Sequence, residues 1–243
     1  MTRSLFRSIA TVGLLALGLA GCSRSEGATR ADARTAPQAP ATAVANGSVA
    51  PSVLPQDSIS QKADAGRIAG PESAKLWVIM ASDFQCPYCK EWHDASFTKL
   101  MNDYAKTGKI RLAFINLPLS MHPNAMPAAE AAMCAAVQNK FWDLHESLFK
   151  SQDEWAPMPN ASAKFEALAT AAGVNMPQWR ECVAKHLTAP LINADRDRLR
   201  AAGVNSTPTF FVNGKMITKA DGTSAGAASD VPAAIEAALK SPR

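Results

Sequence analysis

Apolar residues fall into compact runs along the chain, and the spacing within each run predicts a conformation. Leu76-Trp77-Val78-Ile79-Met80 is apolar throughout and partly β-branched, which predicts a buried strand over 76–81. From Lys90 onward, Trp92 and Phe97 recur among polar residues at a spacing that a helix allows. The pattern continues through Leu100, Met101 and Tyr104 towards Lys106, with Gly108 as its stop. Ile110-Arg111-Leu112-Ala113-Phe114-Ile115 then continues as a second strand, closed by Pro118. A strand–helix–strand unit of this length implies a parallel pair with a right-handed crossover.

Helical patterning fills the next stretch. Pro127–Gln138 is rich in Ala and Met and starts on a proline suited to a first turn. Asn139 can take a left-handed cap, and 140–149 resumes the helical pattern. Pro157 and Pro159 force a turn before a helix over 165–172, which Gly173 ends; 176–185 and 191–202 supply two more. His145 and His186 lie within this pattern and are expected at the surface or half-buried, outside any catalytic role. Strand signals return with Thr209-Phe210-Phe211-Val212, the two-residue turn Asn213-Gly214, and an answering strand over 215–218. Residues 220–230 read as loop, and Val231-Pro232 opens a terminal helix through Ile235 and Leu239. The expected folded domain is 62–243, with a helical insertion at about 120–202.

The candidate chemistry sits at the first strand-to-helix junction, in Asp83-Phe84-Gln85-Cys86-Pro87-Tyr88-Cys89. Pro87 suits the first helical turn, since the amide hydrogen it lacks would have no partner there. Cys86 is thereby placed at the helix N-terminus, where free N–H groups and the macrodipole favour thiolate over thiol. The other reading of a C-x-x-C is half a zinc knuckle or a structural disulfide. A zinc site wants a second C-x-x-C or a paired-His motif, which this chain lacks, and nothing in the spacing of His93 and His122 suggests that they complete one. A redox pair is expected, with no metal and no cofactor beyond the two cysteines.

The first sixty residues differ in kind. Arg3 and Arg7 precede an apolar run, 9–20, that is short for a membrane span and is followed by small residues, the layout of a secretory signal. It ends Leu19-Ala20-Gly21-Cys22, which resembles the lipobox of bacterial lipoproteins. That resemblance implies cleavage after 21 and lipidation of Cys22; an ordinary cleaved signal with an incidental cysteine is the alternative. It places the protein on the periplasmic side of a bacterial envelope, held to the membrane by its lipid, and Ser23 at the next position points to the outer membrane. Residues 22–61 are Ala-, Pro-, Ser- and Thr-rich with isolated apolar residues, too polar to offset chain entropy, and are expected to form a disordered tether. Its reach as a flexible coil is about 35 Å. Removing 1–21 takes away two arginines and no acid, so the net charge falls from +4 to +2 and gives no argument for nucleic acid. Of five cysteines, Cys22 is set aside by lipid, and Cys86, Cys89, Cys134 and Cys182 divide into the redox pair and one further pair.

Strand, C-P-Y-C, helix, strand, helical insertion, Thr207-Pro208, hairpin and final helix together resemble the DsbA-like family, an α/β thioredoxin-like fold with an inserted all-helical subdomain. The specific pieces are Ser82 to Cys89, Gln138-Asn139-Lys140-Phe141-Trp142, and Gly203 to Gly214, and the resemblance spans nearly all of 66–240. It implies a thiol:disulfide oxidoreductase in which Cys86 and Cys89 exchange disulfides with secreted proteins. It also implies that Thr207–Pro208 is a cis peptide beside the nucleophilic cysteine, its backbone pairing with an extended substrate, with Pro87 and Tyr88 completing the substrate-facing set. The other reading of Pro208 is a residue that simply starts a strand. Relatives carry a buried acid six residues before the first cysteine. Met80 stands there instead, leaving water or Asp83 as proton acceptor for Cys89.

Some members of that family carry a structural disulfide between helices of the insertion, which implies a Cys134–Cys182 bond; two buried thiols are the alternative. The expected direction is disulfide formation, recharged by a quinone-linked membrane oxidase. The alternative is reduction or isomerisation, sustained by a thiol reductant exporter. Residues 23–61 are too short and polar for a dimerisation domain, so a monomer is expected. A non-enzymatic peptide- or metal-binding module on the same fold is the reading from another class. Pro87 and Tyr88 add no positive charge, so the potential should be less oxidising than about −120 mV.

Overall fold

Strand β2 (Leu76–Ser82) carries apolar side chains on both faces, and this makes it the centre of the sheet rather than an edge. The structure, a computed structural model, describes residues 57–218 and 227–241. β2 pairs in parallel with β3 (Ile110–Asn116), from Leu76 opposite Ile110 to Ser82 opposite Asn116. On its other side it pairs antiparallel with β4 (Thr209–Val212), Met80 opposite Phe210. β5 (Lys215–Met216) follows β4 through Asn213 and Gly214, whose φ angles of 50° and 80° are those of a tight primed turn. A short strand the sequence reading missed, β1 (Ile68–Ala69), pairs antiparallel with β3 and gives the order β1-β3-β2-β4-β5.

Period-two alternation divides the strands between two cores. Leu76, Val78, Met80, Leu112, Phe114, Phe210 and Val212 face the larger one, which the helical insertion covers. Ile79, Ala81, Ala113, Ile115 and Phe211 face the smaller one, closed by Leu199 and Val204. Helix α1 (Ser58–Gly66) is capped by the Asp57 carboxylate, which accepts from the N–H groups of Ile59 and Ser60. Its residues 58–61 were expected in the tether and are helix instead. The segment can order because Ala63 is fully buried and because Gly66 lets the chain touch the helix over 125–136. A Cβ at Gly66 would lie 2.1 Å from the Ala136 carbonyl oxygen.

After β2 comes α2 (Pro87–Trp92), then a π turn over His93–Phe97, α3 (Thr98–Leu100) and a second π turn over Met101–Ala105. Sequence spacing predicts an unbroken α-helix here. The π turns re-register the buried face, and apolar spacing does not report them. The insertion comprises α4 (Ala125–Ala136), α5 (Phe141–Lys150), α6 (Gln152–Trp155), α7 (Ser162–Ala171), α8 (Met176–Ala184) and α9 (Ala189–Ala201). Asn139 takes the left-handed cap between α4 and α5, with φ 59°. His186 is exposed, but His145 is wholly buried among aromatic rings, contrary to its expected surface or half-buried position. Residues 227–230, read as loop, form a 3₁₀ turn that leads into α10 (Val231–Lys240).

One buried ionic knot joins these parts. Arg67 and Asp195 are both fully buried and paired, Asp64 and Arg198 join them, and the Asn116 amide donates to Asp195 Oδ2 at 3.3 Å. Among the described residues no helix is long and apolar enough to cross a membrane.

Candidate active site

The dithiol loop is held by side chains on both sides of it. Asp83, just beyond β2, accepts from the Gln85 N–H at 2.7 Å, the Leu119 N–H at 2.9 Å and His122 Nδ1 at 2.7 Å. Gln85 continues the clamp: Nε2 donates to the Ala156 carbonyl at 2.8 Å and Oε1 accepts from the Asn124 N–H at 2.6 Å. From α6, Gln152 Nε2 donates to the carbonyls of Phe84 at 2.6 Å and Cys86 at 3.0 Å. The insertion therefore fixes the backbone of the loop it covers. Apart from the local Asp83–Gln85 turn, none of these partners is legible in the sequence, because each of the other bonds joins residues tens of positions apart.

Cys86 is the residue that caps α2, in extended conformation, and Pro87 is the first helical residue. The Cys86 carbonyl accepts the Cys89 and Lys90 N–H groups, so the first turn closes around the two sulfurs. Thr207–Pro208 is a cis peptide, and Cys86 Sγ lies 3.6 Å from the Thr207 carbonyl oxygen. The buried Thr207 hydroxyl makes no conventional hydrogen bond, yet it lies near enough to the sulfur to favour its thiolate. The Cys86 thiol is pulled down to about 6, chiefly by the neighbouring Cys89 thiol, with the Thr207 hydroxyl and the Cys89 and Tyr88 amides adding to it against the cost of burial. Cys89 is pushed the other way, first by burial and then by Cys86. The two sulfurs thus differ sharply in acidity, and the outer one ionises first.

Met80 is buried in the same core as the two cysteines, and the Asp83 carboxylate is committed to the Gln85 amide, His122 and the Leu119 amide. Besides Cys86, the groups that interact with Cys89 are the Asp83 amide and the Ser82 hydroxyl. His93 pairs with Glu146 and Asp94, and among the described residues no three-ligand cluster includes either active-site cysteine. Pro87 and Tyr88 are exposed, Tyr88 by 69%. Two further exposed apolar residues, Met121 and Met158, ride on the segments that Asp83, Gln85 and Asn124 tie to the loop, and the sequence reading missed both. Away from the site, Cys134 and Cys182 form a disulfide between α4 and α8, with Cα atoms 5.8 Å apart. Cys22 and the signal segment lie outside the described residues.

A strand–dithiol–helix site facing a cis-proline loop is a thioredoxin-type arrangement, and comparison with known proteins agrees. A thioredoxin family model matches residues 62–229, and the chain belongs to that family. Among solved structures, oxidised BdbD from Bacillus subtilis superposes with a TM-score of 0.62 at 26% identity, covering 73% of this chain and 95% of that one. DsbA1 from Wolbachia pipientis gives 0.59 at 20% identity over 71% and 90%, which shows the shared fold. The disulfide bond formation protein D of B. subtilis is 26% identical over 152 residues, 62% of this chain and 68% of that protein. A Na(+)/H(+) antiporter NhaA of Salinispora tropica is 37% identical over 153 residues, 63% of this chain. The chain spans only 22% of that antiporter's length.

Proposed function

We propose that this protein is an extracytoplasmic thiol:disulfide oxidoreductase that forms disulfides in secreted proteins through Cys86 and Cys89. The observation that carries the reading is the split acidity of the pair beside the cis-proline carbonyl. In the oxidising direction, a substrate thiolate attacks Cys86 of the Cys86–Cys89 disulfide. A substrate–Cys86 bond forms as the intramolecular bond breaks, and Cys89 leaves and takes up a proton. A second substrate thiolate then attacks the substrate sulfur of the mixed disulfide and expels Cys86, whose thiolate is the stabilised one. The substrate loses two electrons and two thiol protons, and the pair gains the electrons. No cofactor is needed beyond the two sulfurs.

The Thr207 and Pro208 backbone, with exposed Pro87 and Tyr88, forms the docking edge for an extended substrate. A Cys134–Cys182 bond fits an oxidising compartment. Lipid attachment at Cys22, an outer-membrane location, monomeric state and recharging by a quinone-linked membrane oxidase complete the proposal. Proton transport is not carried over from the antiporters, which share only part of their length with this chain.

The test is the reduction potential of the Cys86/Cys89 pair in glutathione buffers. A Cys86 thiol near 6 lies between thioredoxin's, about 7, and that of the strongest periplasmic oxidant, about 3.5. The expected potential therefore lies between about −270 and −120 mV, and a value on the oxidising side of about −180 mV would support disulfide formation. A value at or below that of thioredoxin would make the protein a reductase or isomerase.

A further inference from the structure

Where the helix that follows the dithiol loop packs against α5, three side chains that the redox chemistry does not use come together. The rings of His93 and His145 stand 5.3 Å apart, and His93 Nε2 lies 3.0 Å from Glu146 Oε2. One ligand atom from each of His93, His145 and Glu146 can be chosen so that all lie within 4.8 Å of one another. His145 is fully buried, and neither ring nitrogen has a hydrogen-bond partner. A buried imidazole with both nitrogens idle is costly, and such a group calls for an explanation, an ion among them. His93 is already oriented: Nδ1 stands 3.3 Å from Asp94 Oδ1, which can hold the proton there and leave the Nε2 lone pair towards Glu146. A carboxylate behind a ligating histidine is the usual way a protein fixes the tautomer and aim of such a ligand. His93 also opens a π turn, a local distortion common at functional positions.

We propose that His93 Nε2, His145 and Glu146 bind a divalent transition-metal ion of the zinc type, with a water as fourth ligand. Two imidazoles and one carboxylate suit zinc or its neighbours rather than magnesium or calcium, which take all-oxygen sites. Ligands at about 2.0–2.1 Å around a tetrahedral zinc lie about 3.3 Å apart, close to the existing 3.0 Å between His93 and Glu146. The set is complete when the His145 nitrogen moves in from a separation of at most 4.8 Å. Glu146 also lines a surface cleft of about 620 Å³ with Phe97, Trp142 and Asp143, so its carboxylate is open to solvent. The competing account is a Lys90–Asp94–His93–Glu146–Lys150 ion-pair chain, with His145 serving as one more packed ring.

The experiment is titration of the mature protein with Zn(II) against a chromophoric zinc indicator. The Cys86–Cys89 pair is first oxidised so that neither sulfur can bind metal. One zinc per chain is expected. Binding should weaken at least tenfold in His145→Phe, which keeps a ring and removes the ligand, and in Glu146→Gln. Asp94→Asn, acting only through His93, should weaken it by about tenfold, and His122→Ala should leave it unchanged. Glu146 is partly exposed, so Glu146→Gln tests the site even if the His145 variant fails to fold. X-ray absorption at the zinc edge should show nitrogen and oxygen ligands with imidazole scattering. The proposal is overturned by no stoichiometric uptake, by uptake unchanged in Glu146→Gln, or by sulfur ligation.

Discussion

Cys86 and Cys89 share one helical turn, whereas Cys134 and Cys182 are 48 residues apart and join two helices of the insertion. The first pair is made unequal by its surroundings: one sulfur is drawn towards thiolate by amide, hydroxyl and thiol neighbours, and the other is held as thiol by burial. The second pair lies in a packed core, its cysteines bonded to each other across two helices, with Cys134 Sγ 3.8 Å from the Thr188 hydroxyl. On the proposed reading the same side chain serves exchange in one place, while it forms a cross-link in the other. Helix position and hydrogen bonding around the sulfur make the difference.

The sharpest test of that division is to remove each pair in turn. Cys86→Ala should abolish thiol–disulfide exchange, while Cys89→Ala should accumulate a mixed disulfide through Cys86, detectable as an adduct on non-reducing gels. Exchange that survives Cys86→Ala would break the assignment. Cys134→Ser with Cys182→Ser should leave turnover at 25 °C intact yet lower unfolding stability by about 4 kcal/mol, the chain-entropy value for a loop of 48 residues. A loss of activity with little loss of stability would reverse the two roles.

A third test reads the acidity directly. Alkylation of the reduced protein at Cys86 should be half-maximal near pH 6 and fall about tenfold per pH unit well below that. The depressed folded value also fixes the sign of the stability change. Between about pH 6 and 9 the unfolded chain binds a proton at Cys86 that the folded reduced protein does not, so folded stability rises with pH there. This contribution is complete above the ordinary thiol value and is lost as pH falls through about 6. The oxidised protein has no such thiol, so the gap in unfolding midpoint between reduced and oxidised forms should move towards the reduced form as pH rises from 6 to 9. A flat gap would show that the environment around Cys86 does not act as described.

The same contrast explains how much was readable from the chain. β2, the dithiol turn and the β4–β5 hairpin are written in contiguous residues: an apolar run, Pro87 after Cys86, Asn213-Gly214 between two β-runs. Pairing of Cys134 with Cys182 rested on family likeness, since four cysteines alone allow three connectivities. The π turns left no trace in apolar spacing. The burial of His145 could not be read because histidine suits both core and surface, and the phenylalanines that enclose it come from β2's end, β3 and α5. Asp83 was legible as a neighbour of the site but not as a partner of His122, 39 positions away.

Gln152 gives the smallest and most discriminating test, because its side chain ties the insertion directly to the backbone of the dithiol loop. Its side-chain amide, in a residue only 3% exposed, donates to the Phe84 and Cys86 carbonyls. The Cys86 carbonyl in turn accepts the Cys89 and Lys90 amides, so Gln152 supports the turn that holds both sulfurs. Gln152→Met keeps the length and bulk of the side chain and removes its donors, leaving the Phe84 carbonyl without this partner and that of Cys86 with one fewer. Urea unfolding should then show a loss of about 1–3 kcal/mol, the usual cost of an abandoned buried hydrogen-bonding group, at unchanged denaturant slope. Because Gln152 touches backbone and neither sulfur, the Cys86/Cys89 potential should move by less than about 30 mV, the equivalent of about 1.4 kcal/mol. A larger shift in potential with little loss of stability would mean that the insertion tunes the chemistry rather than merely holding the loop in place.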